Sequence, residues 1–179
     1  MKKIGIVVVL ILTCIALESI SATNKETVIY IVRHAEKETA DPKNTDPDLN
    51  ADGKVRAQDL AQVLRKVKLA AVFCTNYKRT QQTAAPSAQH AGVPVQTYET
   101  QDFKTLAETI KTQYKNHKVL VVGHSNTILE IAEAFGAKRP VEKLSDEDYD
   151  LLLKVTIQKD GTVKLKTTRY GKSHHSIGK

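Results

Sequence analysis

Two histidines in this sequence each follow an apolar run that is typical of a buried strand. The stretch from Thr27 to Val32 is β-branched and aromatic without polar alternation, and it leads directly into Arg33 and His34. The stretch from Val119 to Gly123 repeats the pattern and leads into His124. Such runs are expected of strands covered on both faces in a parallel sheet. One histidine at such a position is more often structural, but two on separate buried strands favour chemistry.

A further basic side chain follows another short apolar strand. The run from Ala70 to Cys74 is followed by Arg79, which stands near the start of a helical stretch. A helix N-terminus favours anions, so an arginine there adds positive charge where a phosphate would bind. Alone, Arg79 would be interpreted as a solvated surface residue. Grouped with Arg33, His34 and His124 at strand ends, where open α/β sheets bind ligands, it predicts phosphoryl chemistry.

The rest of the pattern supplies the elements that must position these residues. Asn50 suits the N-cap of an amphipathic helix of about four turns, in which Val55 and Val63 belong to the apolar face. Residues 93–98 are typical of a third strand, and a helix follows. The final apolar segments, 151–158 and 163–170, read as a hairpin, because the Asp-Gly pair between them fits a primed turn. Alternating strands and helices with a terminal hairpin predict an α/β domain with an antiparallel sheet edge.

Size and composition indicate one globular domain. The chain has 179 residues, of which 41% are hydrophobic, which is enough to bury a core. The formal net charge of +7 favours an anionic ligand. The lysines are scattered and no recognition motif is present, so nucleic acid is not expected as a partner.

The N-terminus has the pattern of a signal peptide over residues 1–22. Lys2 and Lys3 precede an apolar run from Ile4 to Ala16, and small residues follow it. That run is shorter than the roughly 20 residues of a membrane span, so no stable membrane anchor is expected. We expect export to the periplasm or the medium, with cleavage near Ser21 or Ala22 and a mature domain over 23–179. The sequence does not indicate an oligomeric state.

The cysteines and the C-terminal histidines offer little sign of chemistry. Lipid attachment at Cys14 is disfavoured, because the threonine before it is too large for such a site. Loss of Cys14 with the signal peptide leaves Cys74, which excludes an intramolecular disulfide and is expected to be a buried, inert thiol. His174 and His175 lie in a polar tail, flexible from about residue 171, and we interpret them as a solvated terminus rather than a metal site.

Three motifs then resemble one family. They are Val32-Arg-His-Ala-Glu-Lys37, Arg79-Thr-Gln-Gln-Thr-Ala84 and Val122-Gly-His-Ser125, and together they resemble the histidine phosphatase superfamily, also called phosphoglycerate mutase-like. The helix opening at Leu49–Ala57 is similar to that family as well. The resemblance covers most of the mature chain, in the right order, and the short exported chain resembles the phosphohistidine phosphatase type. It implies a three-layer α/β/α sandwich with a mostly parallel sheet and an antiparallel C-terminal edge hairpin.

The resemblance also implies a mechanism. His34 would attack phosphorus in line and form a phosphohistidine, which water then hydrolyses. Arg33, Arg79 and His124, with Ser125 as a further binding residue, would hold the phosphoryl oxygens and offset charge in the transition state. No metal or other cofactor is implied. The two arginines should lower the pKa of His34 by like-charge repulsion and keep it neutral for attack.

The general acid that protonates the leaving group has two candidates. Family members often carry a carboxylate on the loop after the third strand, where Glu99 and Asp102 both stand. We favour Glu99 because it is closer to the strand end. Asp102 is the alternative, although its position also suits an N-cap on the next helix, and a site without an acid is the remaining option.

Several residues near the motifs are expected to be unimportant for function. Ala35 stands where the family commonly has glycine, and we expect its methyl group to be tolerated. Glu36 is interpreted as a solvated loop residue rather than one that orients a catalytic group. The acidic run 146–148 is interpreted as a solvated loop or a first helical turn.

Spacing favours hydrolysis over a mutase reaction. Only one strand and one helix separate Arg79 from His124, without room for the long insertion that covers the site in the mutases. An open pocket favours hydrolysis of phosphomonoesters, such as a sugar phosphate or a phosphorylated glycan. Alternatives are a protein phosphohistidine phosphatase, against which the expected export argues, and a catalytically silent anion-binding module of the same fold. A protein that binds surfaces through its basic charge is a third alternative.

Overall fold

The computed structural model describes residues 26–175. The predicted signal peptide, its cleavage site and Cys14 lie outside the described residues. Within the described part of the chain, no helix is both long enough and apolar enough to span a membrane.

Strands and helices alternate through most of the chain, which then ends in two consecutive strands. The elements are β1 (Thr27–Arg33), α1 (Ala51–Leu64), β2 (Leu69–Cys74), α2 (Lys78–Ala91), β3 (Val95–Thr97), α3 (Phe103–Gln113), β4 (Lys118–Gly123), α4 (Ile128–Ala134), β5 (Leu151–Ile157) and β6 (Val163–Arg169).

The strands form one six-stranded sheet in the order β3-β2-β4-β1-β5-β6. Strands β3, β2, β4 and β1 are parallel, while β5 and β6 add an antiparallel edge. The register between the two central parallel strands pairs Arg33 with Gly123. The backbone N–H of His34 then donates to the carbonyl of Gly123 at 2.8 Å, which extends this pairing by one residue. The two motif histidines therefore leave the sheet side by side.

Helices cover both faces of the sheet. Alternate residues of β1 divide between two apolar clusters, as the period of two along a strand requires. Ile29 and Ile31 pack on the face covered by α3 and α4. Val32 packs on the opposite face, with Leu60 of α1 and Ala88 of α2. This three-layer α/β/α arrangement with its antiparallel edge confirms the predicted fold class.

Helix α1 begins where predicted but buries a different face. The side chain of Asn50 accepts a hydrogen bond from the N–H of Gly53 at 2.8 Å, as an N-cap does. A Cβ at Gly53 would lie 2.0 Å from the carbonyl oxygen of Glu36, so the helix start packs directly against the loop after β1. Val55 and Val63 are 60% and 54% exposed, which corrects their assignment to the apolar face.

The terminal hairpin is present, but its turn differs from the predicted one. A primed turn would need positive φ at Asp160, and a type I′ turn would need it at Gly161 as well. Among the described residues only Gly161 of this pair has it, with φ of 86°. The loop instead closes through the N–H of Gln158, which donates to the carbonyl of Thr162 at 2.8 Å.

Candidate active site

Strands β1 and β4 bring the two motif histidines into contact. The ring centroids of His34 and His124 lie 5.4 Å apart, edge to face. Both side chains are buried, with exposed fractions of 4% and 8%. This proximity follows from the parallel register of the two strands, in which Arg33 pairs with Gly123.

Local hydrogen bonding presents one nitrogen of His34 as a nucleophile. Nδ1 lies 2.8 Å from the carbonyl oxygen of Ala35. A carbonyl only accepts, so Nδ1 carries the proton of the neutral ring and Nε2 keeps its lone pair. Burial is the main reason that the pKa of His34 is lowered to about 3. The hydrogen bond to Ala35 opposes this shift, and the charges of the neighbouring basic residues, which are Arg33, His124 and Arg79, add to it. The expected depression is present, but burial contributes more to it than like-charge repulsion.

His124 is held from the opposite side by the end of β2. Its Nε2 lies 2.9 Å from the hydroxyl of Thr75. The hydroxyl of Thr80 lies 3.1 Å from the hydroxyl of Thr75 and donates to the carbonyl of Thr75 at 2.8 Å. Because Thr75 engages Nε2, Nδ1 is the nitrogen of His124 available to a ligand. Burial, followed by the charges of the two arginines, lowers the pKa of His124 to about 4.

Each arginine of the predicted site lies against a tyrosine ring. The guanidinium carbon of Arg33 is 3.9 Å from the ring centre of Tyr149. That of Arg79 is 4.4 Å from the ring centre of Tyr77. Stacking on an aromatic face orients a planar guanidinium while leaving its N–H groups free to bind an anion. The tyrosines therefore set the direction in which the two positive groups face.

The two guanidinium groups retain unmet hydrogen-bonding capacity. Nη1 of Arg33 donates to the carbonyl of Asp146 at 2.7 Å. Nη1 of Arg79 lies 3.6 Å from a carboxylate oxygen of Asp46. Both Nε atoms are buried and lack a hydrogen-bond partner among the described residues. Both guanidinium groups line the cavity, so their positive charge favours an anion there.

The predicted basic residues share one cavity of about 530 Å³. Arg33, His34, Arg79, His124 and Ser125 all line it, so the structure brings them together as the sequence predicts. The remaining described wall is polar and aromatic. It consists of Lys37, Thr39, Tyr77, Thr100, Asn126, Asp146, Glu147 and Tyr149.

The two candidates for the general acid are not brought to this cavity. Glu99 and Asp102 line a separate cavity beside Phe73. Asp102 is the N-cap of α3, and its Oδ1 accepts from the N–H of Thr105 at 3.1 Å. Thr100 is the residue of this loop that reaches the main cavity. The assignment of Glu99 as the acid stays a prediction that this placement does not favour.

Ala35 and Cys74 behave as the sequence predicts. Ala35 is fully buried in a small apolar cluster with Leu49 and Ala57, so its methyl group is accommodated. Its N–H donates to the hydroxyl of Thr83 at 2.9 Å. The thiol of Cys74 is buried, which raises its pKa to about 11. Such a thiol is protonated and unreactive near neutral pH.

Glu36 is not a solvated loop residue. It is 5% exposed and pairs with Arg56 of α1, which is 3% exposed, through bonds of 2.7 to 2.9 Å. Burial alone would raise the pKa of Glu36, but hydrogen bonds from Arg56 and His174 outweigh it and lower the pKa. The sequence carried one signal for this pair, since Arg56 stands four residues before Leu60 on the inward side of α1.

Two further expectations are corrected by the structure. The acidic run 146–148 belongs to a loop that lines the cavity and contacts Arg33, so it is not neutral for the site. His174 and His175 are only partly exposed, and both rings bond to carboxylates at 2.6 to 3.0 Å, so they are not a solvated terminus. Among residues 26–175, no group of three or more His, Cys, Asp or Glu side chains is arranged to hold a metal ion.

One family model matches part of the chain. Residues 29–102 match the model of the histidine phosphatase superfamily, branch 1, and this segment contains the first two motifs. The match supports a phosphatase, and the third motif, Val122-Gly-His-Ser125, lies outside the matched segment. No curated protein sequence matches the chain significantly.

Solved structures of phosphatases share the fold. The protein histidine phosphatase SixA in complex with tungstate superposes with a TM-score of 0.61 at 15% identity, covering 79% of this chain and 96% of SixA. The mycobacterial glucosyl-3-phosphoglycerate phosphatase Rv2419c gives a TM-score of 0.61 at 11% identity, covering 83% of this chain and all of its own. At these identities the likeness establishes the fold.

Proposed function

We propose that this protein hydrolyses phosphomonoesters through a phosphohistidine formed on Nε2 of His34. In the first step Nε2 attacks phosphorus, a P–N bond forms, and the P–O bond to the leaving group breaks. The leaving oxygen takes up a proton from water in the cavity and departs as an alcohol. In the second step water attacks phosphorus, the P–N bond breaks, and inorganic phosphate leaves after the water has lost a proton. No co-reactant other than water is required.

The observation that carries this proposal is the hydrogen-bonded state of His34. Nδ1 is committed to the carbonyl of Ala35 at 2.8 Å, and the ring is neutral over the working pH range because its pKa lies at about 3. Nε2 is therefore available as a nucleophile. As the P–N bond forms, the ring becomes positively charged, and the bond to Ala35 stabilises that charge.

The neighbouring groups suit the binding of a transferring phosphoryl group. Arg33 and Arg79 both line the cavity and carry guanidinium donors. His124 offers Nδ1, since Thr75 occupies its Nε2. A bound phosphoryl dianion would favour protonation of His124 and turn Nδ1 into a third donor. Fixed donors of this kind lower the barrier without reorganisation during the reaction.

We also propose that the substrate is a small phosphorylated molecule or a phosphorylated glycan encountered outside the cytoplasm. Two observations support this: the signal peptide pattern of residues 1–22 and the polar lining that Lys37 and Asn126 give the cavity. A protein phosphohistidine substrate is the alternative, and the predicted export disfavours it.

Hydrolysis of a generic aryl phosphate with a chelator present tests the proposed reaction. Wild type should turn over, and His34→Ala should lose activity by about 10⁴-fold or more, because the nucleophile is gone. His117→Ala is a matched control, since His117 is exposed and bonds to the carbonyl of Lys115 away from the cavity. Turnover that survives in His34→Ala would overturn the mechanism. Anion binding without any turnover in wild type would instead identify a silent anion-binding module.

A further inference from the structure

The chain after β6 returns to the active site instead of leaving the domain. We refer to residues 171–175 as the C-terminal segment. Arg56 donates to the carbonyls of Tyr170 at 3.0 Å and of Lys172 at 2.9 Å. The N–H of Tyr149 donates to the carbonyl of His174, also at 3.0 Å. The C-terminal segment is thereby attached to α1 on one side and to the loop of residues 145–149 on the other.

His174 joins two carboxylates that belong to different parts of the site. Its Nδ1 lies 2.7 Å from a carboxylate oxygen of Glu36, and its Nε2 lies 3.0 Å from one of Glu147. Ionised carboxylates only accept hydrogen bonds, so both contacts are satisfied at once only when both ring nitrogens carry protons. The geometry is therefore that of an imidazolium clamped between two carboxylates.

Tyr149 connects His174 to the guanidinium group of Arg33. The rings of His174 and Tyr149 lie 5.0 Å apart and are tilted by 35°. Tyr149 also contacts the guanidinium of Arg33, whose carbon is 3.9 Å from the ring centre. The Tyr149 ring also lies 6.1 Å from that of His34. A continuous series of contacts thus runs from Glu36 to the groups that face the phosphate.

We propose that His174 is a positioning residue of the active site, which holds Tyr149 and Glu147 in place and thereby orients the guanidinium of Arg33 for phosphate binding. This proposal rests on the proposed function, because it concerns the affinity of the same site for a phosphoryl group. It assigns a role in the reaction to a C-terminal segment that lies outside all three sequence motifs.

The charges around His174 determine how the clamp depends on pH. The hydrogen bond with Glu36 raises the pKa of His174, burial opposes this, and the bond with Glu147 adds to it. A raised pKa means that the clamp is complete at low pH and is lost as the pH rises through the pKa of the folded state. The charged and titratable groups around this ring are Glu36, Asp52, Arg56, Asp59, Glu147, Tyr149, Asp150, Lys172 and His175.

Three variants separate positioning from simple attachment of the C-terminal segment. His174→Ala removes the clamp. His174→Lys keeps a positive charge up to a much higher pH. His175→Ala is the matched control, because His175 lies in the same segment as His174. Its ring contacts Asp150 at 2.6 Å and not Glu36 or Glu147. Each variant is compared with wild type for KM and kcat with an aryl phosphate, and for calorimetric affinity for inorganic phosphate, from pH 5 to 9.

We expect His174→Ala to raise KM and to weaken phosphate affinity, each by roughly 3- to 10-fold near pH 6. The change in kcat should be smaller. Wild type should lose affinity as the pH rises through the raised pKa of His174, and His174→Lys should move that loss to higher pH. His175→Ala should match wild type. Equal losses of phosphate affinity in His174→Ala and His175→Ala would overturn the proposal. So would a phosphate affinity of His174→Ala that stays within twofold of wild type across the pH range. The calorimetric measurement needs no turnover, so a failure of the proposed hydrolysis remains distinguishable from a failure of this inference.

Discussion

The inner side of the active site and its outer rim are held by different kinds of interaction. His34 and His124 stand at the ends of β1 and β4, where backbone hydrogen bonds and apolar packing determine their places. The rim, made of residues 145–149 and the C-terminal segment, is held by hydrogen bonds among charged side chains and carbonyls. Sheet register does not respond to pH, whereas a carboxylate–histidine contact does. In the proposed mechanism the inner side supplies the chemistry, and we propose that the rim adjusts phosphate affinity.

The largest effect on activity should come from Arg33, which lies where the inner side and the rim meet. Arg33→Lys keeps the charge but loses the planar group that lies on Tyr149 and donates to the carbonyl of Asp146. We expect kcat/KM for an aryl phosphate to fall by about 10²- to 10³-fold, as for the loss of a preorganised donor. Steady-state kinetics measure this change, with the exposed Arg65→Lys as control. Activity within threefold of wild type would show that only charge is needed there.

A loss of stability should follow from breaking the ion pair beneath the rim. Glu36→Gln would leave Arg56 buried without its charged partner. We expect the free energy of unfolding to fall by roughly 3 kcal/mol or more. Denaturant unfolding measures it, and Arg139→Ala, which removes partly exposed ion pairs with Glu130 and Glu133, should cost far less. Equal losses in the two variants would mean that burial of Glu36 contributes little.

The inner side should show its own dependence on pH, with a sign opposite to that of the rim. The pKa of His34 is about 3 in the folded protein, so the unfolded chain binds a proton near pH 6.5 while the folded chain does not. Stability from this residue is complete above pH 6.5 and is lost as the pH falls towards 3. Between pH 7 and 5, the free energy of unfolding should fall by about 2 kcal/mol more in wild type than in His34→Ala. A parallel decline in the two proteins would indicate an ordinary pKa.

The smallest effects are expected on the loop before α3. Asp102→Ala removes the N-cap of α3 and should lower stability by about 1 kcal/mol with little change in kcat. Glu99→Gln should leave kcat within about twofold, because Glu99 does not line the cavity of His34. A drop of about 10²-fold in Glu99→Gln would restore it as the general acid. Thermal unfolding and steady-state kinetics of both variants decide between these outcomes.

The sequence predicts the inner side of the site because local patterns encode it. Uninterrupted apolar strands indicate a parallel sheet, and the carboxyl ends of such strands meet, which places His34 and His124 together. The capping role of Asp102 is likewise readable from its position before a helix. These features depend on neighbours in sequence and on general rules of sheet topology.

The rim could not be predicted in the same way. The contact between Glu36 and His174 joins residues 138 positions apart, and neither belongs to a periodic pattern. Polar residues after the last strand are typical of a solvated tail, so the return of the C-terminal segment left no local signal. The same holds for Tyr149, whose role comes from its stacking on Arg33 and not from the acidic run before it.

Trapping the covalent intermediate tests the central claim most directly. Wild type is mixed with an isotopically labelled phosphomonoester, quenched within milliseconds under alkaline conditions, and the labelled residue and ring nitrogen are determined by peptide mapping and phosphorus NMR. The account predicts an acid-labile, base-stable phosphoryl group on Nε2 of His34, since Nδ1 is bonded to the carbonyl of Ala35. A label on Nδ1, a label on another residue, or turnover without any phosphoenzyme would contradict it.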